Sequence, residues 1–231
     1  MIKNIERIKQ YLFNLKKDIP ILLLLFLSML YITLKVVCNP LFFRQVEFYL
    51  EFIKYPIKLT CSAFVYSLIY VVIDMIVVIS NKKYAIFIIL FGTICDGLFS
   101  GVLYFVSTID VPIIMSNTEL IKTATINTLG SNMWSLFSHG LIASMVAAIA
   151  ELLIFAYLYK KVNSFFISTV TSVIVTLVTH NVITDYPMLK HEPDFWLLIM
   201  HNLVINISIM IIYATIVSGF LMIRVRLLSR R

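Results

Sequence analysis

The stretch "IYVVIDMIVVISNKKYAIFI", residues 69–88, is apolar on both sides of a single aspartate, Asp74, and breaks only at "SNKK". Its two halves are each long enough to be part of a helix crossing a hydrocarbon layer about 30 Å thick. Between them the short polar turn carries Lys82 and Lys83. A carboxylate near the middle of such a helix costs about 2.5–3.5 kcal/mol on insertion scales, so Asp74 is expected to face a bundle interior rather than lipid. At 1.5 Å per residue it lies roughly 9 Å from the Ser80 end of its span.

The rest of the chain has the same character. Of its 231 residues 61% are hydrophobic and 13% charged, whereas an average soluble chain has about 25% charged residues. Mean hydropathy is +0.97. The expected fold class is an all-α, polytopic integral membrane protein, a six-helix bundle with spans near 19–38, 61–80, 84–107, 134–159, 164–184 and 195–223. Residues 1–18 form a basic, amphipathic N-terminal segment, 19–223 the membrane domain and 224–231 a basic tail. The apolar stretch after the basic N-terminus is long and lacks a small-residue cleavage site, so it reads as the first span rather than a signal peptide.

The net charge of +7 does not point to nucleic acid, because the basic residues cluster in turns and at the two ends. Thirteen lie in the N-terminal segment, the second–third turn, the fourth–fifth turn and the tail, against five in the other loops. The positive-inside rule then places both termini in the cytoplasm. Cys38, Cys61 and Cys95 have neither disulfide-framework nor zinc spacing, so no metal or cofactor is expected.

Two outer segments carry patterns of their own. In "LFFRQVEFYLEFIK" Phe42, Val46, Tyr49 and Ile53 recur at helical spacing, with Arg44, Glu47, Glu51 and Lys54 opposite, which predicts an interfacial helix ending at Pro56. In "SNTE" Ser116 precedes Glu119 by three positions, a capping box for a short outer helix. Either segment is a lid over an outward-facing site or simply packs on the membrane surface.

Polar residues inside the spans form stripes: Ser67, Tyr70 and Asp74; Asp96, Ser100 and Tyr104; Ser144 and Glu151; Thr176, Thr179 and His180; Asn202, Asn206 and Tyr213. Turning these towards one wet cavity is the economical arrangement, and helix-to-helix hydrogen bonding is the plain alternative for the hydroxyls and amides. Gly92 and Gly97, which flank Asp96, also suggest close helix packing there. Lys35, near a span end, is expected to snorkel to the interface. No HExxH motif, nucleophile elbow or glycine-rich phosphate loop is present, so an intramembrane hydrolase is disfavoured and no enzyme activity is expected. A carrier or a ligand-binding membrane subunit remains.

The stretch "FVYSLIYVVIDMIVVISNKKYAI" resembles the signature of the VUT (vitamin uptake transporter) family, whose bacterial members include queuosine precursor transporters. In that family an aromatic-rich span reaches an aspartate, followed by a turn, basic residues and an alanine; here these are Asp74, Ser80-Asn81, Lys82-Lys83 and Ala85. "LIASMVAAIAELLIFAYLYKK" is similar to the family's run of small residues into an acidic residue, an aromatic and a basic turn, with Glu151 and Phe155 at those places. "STVTSVIV" resembles its Ser/Thr-rich fifth span. The chain departs from the pattern at Val78, Asn81, Thr179-His180, Asn202 and Ile205.

The resemblance implies uptake of a queuosine precursor, a flat 7-deazaguanine base, across the bilayer. A guanine edge offers neighbouring N–H donors, which a carboxylate accepts efficiently, and aromatic rings sandwich the base. Glu151 is the first expectation for that carboxylate and Asp74 the second. Tyr70, Phe155 and Trp134 are expected to stack, and Asn202 and Asn206 to complete the hydrogen bonds. Asp74, Asp96 and His180, and Glu151 as well, are alternatively expected to load and release a proton. The expected partners are this small purine-like substrate, the lipid bilayer and, as an open alternative, further copies of the chain. The competing reading is a substrate-binding membrane subunit of the energy-coupling-factor type for a vitamin, although "LLLLFLSMLYITL" lacks its small-residue docking face.

Overall fold

A computed structural model describes residues 2–48, 57–109, 116–180 and 195–229, with side chains described within 21–47, 59–109, 116–141, 143–178 and 195–220. The elements are α1 (Ile2–Phe42), β1 (Gln45–Phe48), β2 (Ile57–Thr60), α2 (Ser62–Ile79), α3 (Lys82–Ser107), α4 (Asn117–Val162), α5 (Phe165–His180) and α6 (Phe195–Ser229). The protein is an all-α polytopic membrane bundle. Five of these helices are long and apolar enough to cross a bilayer, over Ile21–Phe42, Ser62–Ile79, Lys82–Ser107, Ala143–Val162 and Phe195–Phe220. The expected count of six therefore needs correcting. The fifth expected span is represented by α5, whose 16 residues rise only about 24 Å; residues 181–184 of that expectation lie outside the described residues.

Helix α2 is the axis of the bundle. Within its membrane window 56% of positions are buried, against 17–33% in the other four spans. On one side Ile69, Ile73 and Ile76 pack with Leu27 and Tyr31 of α1, Ala85 and Ile89 of α3 and Leu152 of α4. On the other, Tyr70 and Val71 pack with Phe155 of α4, Phe165, Val173 and Leu177 of α5, and Met210 and Ala214 of α6. The outward faces of α3, α4 and α6 remain apolar and exposed, with Leu98, Phe105, Val146 and Phe220 among them, as expected of surfaces that meet lipid acyl chains.

The "SNKK" turn needs no glycine. Asn81 has an extended backbone (φ −169°), and its side-chain oxygen accepts from the Tyr84 N–H at 3.0 Å, capping α3. The Ser80 N–H closes α2 on the Ile76 carbonyl. At the next turn Asn163 is left-handed (φ 53°), a conformation asparagine tolerates, with Lys160 and Lys161 against the C-terminal end of the α4 dipole.

Two further expectations are revised. Residues 45–48 are not an interfacial helix but strand β1, antiparallel to β2 with Val46 opposite Leu59. "QVEF" also alternates polar and apolar, and pairing with "IKLT" satisfies its backbone at the membrane surface, which the helical pattern alone overlooks; residues 49–56 lie outside the described residues. The Ser116–Glu119 capping box is present, but it opens the full 46-residue α4 rather than a short separate helix. Nothing between 120 and 133 breaks a helix except Gly130, and that glycine is used for packing. The N-terminal segment and the first span likewise form one helix, α1, and α6 runs on past 223 into the basic tail.

At Gly130 an added Cβ would lie 2.5 Å from the Leu103 carbonyl oxygen, whereas at Gly219 it would meet nothing within 4 Å. Gly130→Ala is expected to destabilise the detergent-solubilised protein by about 1–3 kcal/mol by forcing α3 and α4 apart. Gly219→Ala is expected to be neutral or to stabilise by up to about 1 kcal/mol through helix propensity; thermal unfolding of both variants checks this. The Ser116 N–H and hydroxyl hold the Glu119 carboxyl below its ordinary range. The support it gives the first turn of α4 is therefore complete at neutral pH and lost as pH falls through that lowered value. Amide exchange at 117–120 should accelerate at low pH, and Ser116→Ala should flatten the dependence.

Candidate functional site

A cavity with about 80 Å³ of enclosed room, open at its mouth, lies at the hairpin end of the bundle, away from the 80–81 turn. Helix α1 contributes Lys35, Asn39 and Phe42, the hairpin Thr60, and α2 Ser62, Tyr66 and Ile69. Asp96 comes from α3, Phe137 and Ser144 from α4, and Asn202 and Asn206 from α6. Its mixture of apolar walls with a few converging polar groups is that of a small-molecule site, although its enclosed room is smaller than a bound heterocycle needs, so a ligand would have to widen it.

The polar groups are held from behind. Asp96 is 3% exposed, and the Asn39 Nδ2 donates to both of its oxygens, at 2.7 Å and 2.9 Å. This clamp orients the carboxylate and leaves its remaining lone pairs for another partner. Lys35, one helical turn before Asn39, places its positive charge within range of Asp96. The Asn202 Oδ1 accepts from the Thr60 backbone N–H at 3.0 Å, tying the end of β2 to α6. Asn206 accepts from the Ser67 hydroxyl at both its backbone oxygen (2.9 Å) and its Oδ1 (3.0 Å), tying α2 to α6. With both side-chain oxygens engaged, the Asn202 and Asn206 NH2 groups are the donors left for whatever fills the cavity. The Tyr70 hydroxyl donates to the Tyr66 hydroxyl at 2.7 Å, fixing the one aromatic wall that also carries a polar tip.

The expected residues thus divide. Asn202, Asn206 and Asp96 meet at the cavity. Asp74 and Glu151 do not: Asp74 lies about 7–8 Å further along α2 than Ile69, and Glu151 about 10 Å further along α4 than Ser144. Both are fully buried, and they face each other in a separate layer with Ser172 and Thr169 of α5. Asp74 does point into the bundle. Tyr70 and Phe155 are core residues rather than cavity walls; Phe155 stacks on Tyr159 at 5.5 Å and meets Phe165 edge-on. Trp134 stacks on Tyr104 and contacts Phe137, which itself lines the cavity. The His180 side chain lies outside the described residues.

Sequence reasoning missed Lys35, Asn39 and Thr60. Lys35 was assigned to the interface, yet it lines the cavity. The available signal was the i, i+4 spacing of Lys35 and Asn39, which puts both on the face that α3 presents Asp96 to.

Asn202→Ala orphans the buried Thr60 N–H and is expected to cost about 1–3 kcal/mol, read as faster amide exchange at residues 57–60 with the rest of the bundle unchanged. Asn39→Ala should instead leave the hairpin intact and loosen only Asp96. Compared with known proteins, the chain matches no family model, no curated protein and no solved structure.

Proposed function

We propose that this protein is a membrane carrier that takes up a small, flat, polar heterocycle of the 7-deazaguanine class, as a divergent member of the VUT family. The observation that carries the reading is the cavity in which one oriented carboxylate, one ammonium group and two unspent amide donors converge between apolar and aromatic walls. Such a ligand has paired N–H donors on one edge and a ring carbonyl beside them. Asp96, rather than Glu151 or Asp74, accepts from the N–H edge, held in place by Asn39. The Lys35 ammonium and the Asn202 and Asn206 NH2 groups donate to the carbonyl and ring nitrogens. Phe42, Phe137 and Tyr66 cover the ring faces, where offset or edge-on contact adds about 0.5–1.5 kcal/mol beyond area burial. With the basic turns and both termini on the cytoplasmic side of the bacterial inner membrane, the hairpin end and the cavity open outward, as uptake requires.

The test is queuosine in the tRNA of a bacterial host that lacks its own precursor transporter and is fed the free base. The unaltered chain is expected to restore it. Asp96→Asn removes a charge-assisted acceptor worth about 1.5–3 kcal/mol and is expected to lower the initial rate of labelled-base uptake by about 10- to 100-fold. Normal membrane levels of protein with no restored queuosine, or Asp96→Asn uptake equal to that of the unaltered chain, would sink the proposal.

A further inference from the structure

The layer around Asp74 and Glu151 has no part in the cavity. Asp74 is 0% exposed, and neither of its oxygens has a hydrogen-bond donor among the described residues. Glu151 is equally buried; its Oε1 accepts from the Ser172 hydroxyl at 2.8 Å and its Oε2 has no donor. The two acids lie on either side of the α2–α4 contact, where their chain neighbours Ile73 and Leu152 belong to one packed core, and are within electrostatic range of each other. Thr169, also fully buried, is turned towards Asp74, its hydroxyl without a hydrogen bond of its own. Among the described residues no lysine or arginine donates to either acid.

Two bare carboxylates in contact, desolvated and without a cation, would repel each other across a medium that cannot screen them. A single proton between them gives each a partner and leaves one negative charge for the α5 hydroxyls to solvate. We propose that Asp74 and Glu151 form a carboxyl pair that binds one proton jointly, a proton site distinct from the ligand cavity and joining α2, α4 and α5. Among the described residues the titratable groups around it are Tyr31 of α1, Tyr70 on α2 itself and, beyond these two, Cys38 of α1 and Asp96 of α3. Helix α5 contributes only hydroxyls here, while α6 meets this layer with Met210 and Ala214. The proton is lost to water only when α2 parts from α4 and α5, because both carboxyls are fully buried while these helices are packed. Proton release and separation of these helices are therefore one event.

The experiment needs no substrate, so it stands apart from the transport reading. The full chain in lipid vesicles is studied by infrared spectroscopy for the C=O stretch of a protonated carboxyl at neutral pH. The band is expected in the unaltered protein and in Asp96→Asn, and it should be lost from the double variant Asp74→Asn/Glu151→Gln. Ser172→Ala keeps both acids and removes one hydrogen bond, so it should retain the band at a shifted frequency, and it serves if the double variant does not fold. Asp74→Asn alone should shift or abolish the band, since the partner of the shared proton changes. Transfer to D2O should move the band as the bundle opens and recloses. The proposal is overturned by the lack of any such band, by a band indifferent to Asp74→Asn and Ser172→Ala, by a band that never responds to D2O, or by its disappearance when sodium ions are added, which would make the pair a sodium site.

Discussion

The burial of α2, more than half of whose membrane window is enclosed by protein, is the constraint on which the arrangement depends. A polar residue on the enclosed faces of α2 cannot turn to lipid or water, so each hydroxyl and carboxyl there needs a partner from a particular neighbour. Ser67 finds Asn206 on α6. Tyr70 finds Tyr66 one turn back, with the rings 5.1 Å apart and nearly perpendicular. Among the described residues Asp74 has Glu151 of α4 and Thr169 of α5 beside it, without a hydrogen bond to either. These partners fix which helices surround α2 and in what register, more tightly than exchangeable contacts among isoleucines and valines would.

The same constraint separates the interior into two levels. At the hairpin end the helices are held apart, with room between Asp96, Lys35 and Asn202. Towards the 80–81 turn, Tyr70, Phe155, Phe165 and Leu177 close the space. Tyr31 lies between the levels, fully buried and within electrostatic reach of both Asp96 and Glu151. Gly92 makes room for it: an added Cβ there would lie 2.9 Å from its ring. One tyrosine on α1 is thus in touch with the acid of each level.

The spans were legible in the sequence because hydrophobic length is a direct physical requirement of crossing a bilayer. The polar stripes were legible too, since a rare charge in hydrocarbon stands out. Depth was not. Ser144 and Glu151 share a face of α4, yet one lines the cavity and the other the dry layer, because a helical wheel has no axial coordinate. The β1–β2 hairpin was hidden for a related reason: Val46 fits period 3.6 with Phe42 and period 2 with Phe48, and only pairing with the distant "IKLT" decides between them. The spacing of Lys35 and Asn39 puts both on one face, but it does not say what they meet, because Asn39 sits beyond the expected end of its span and its partner is 57 residues away.

A carboxylate and an ammonium group at one end of a cavity, with a carboxyl pair at another level, do different physical work. Asp96 is clamped by an amide and lies beside a positive charge, so it is suited to remaining charged and accepting hydrogen bonds from a partner that arrives and leaves. Asp74 and Glu151 have no such support, and their charge state has to change if water reaches them. Swapping the roles fails on both counts. A ligand edge cannot enter the packed layer around Phe155 without displacing core side chains. A proton at Asp96 would weaken its two bonds to Asn39 and the attraction of Lys35 together. The position of each acid along its helix, rather than its identity as aspartate or glutamate, therefore sets what it can do.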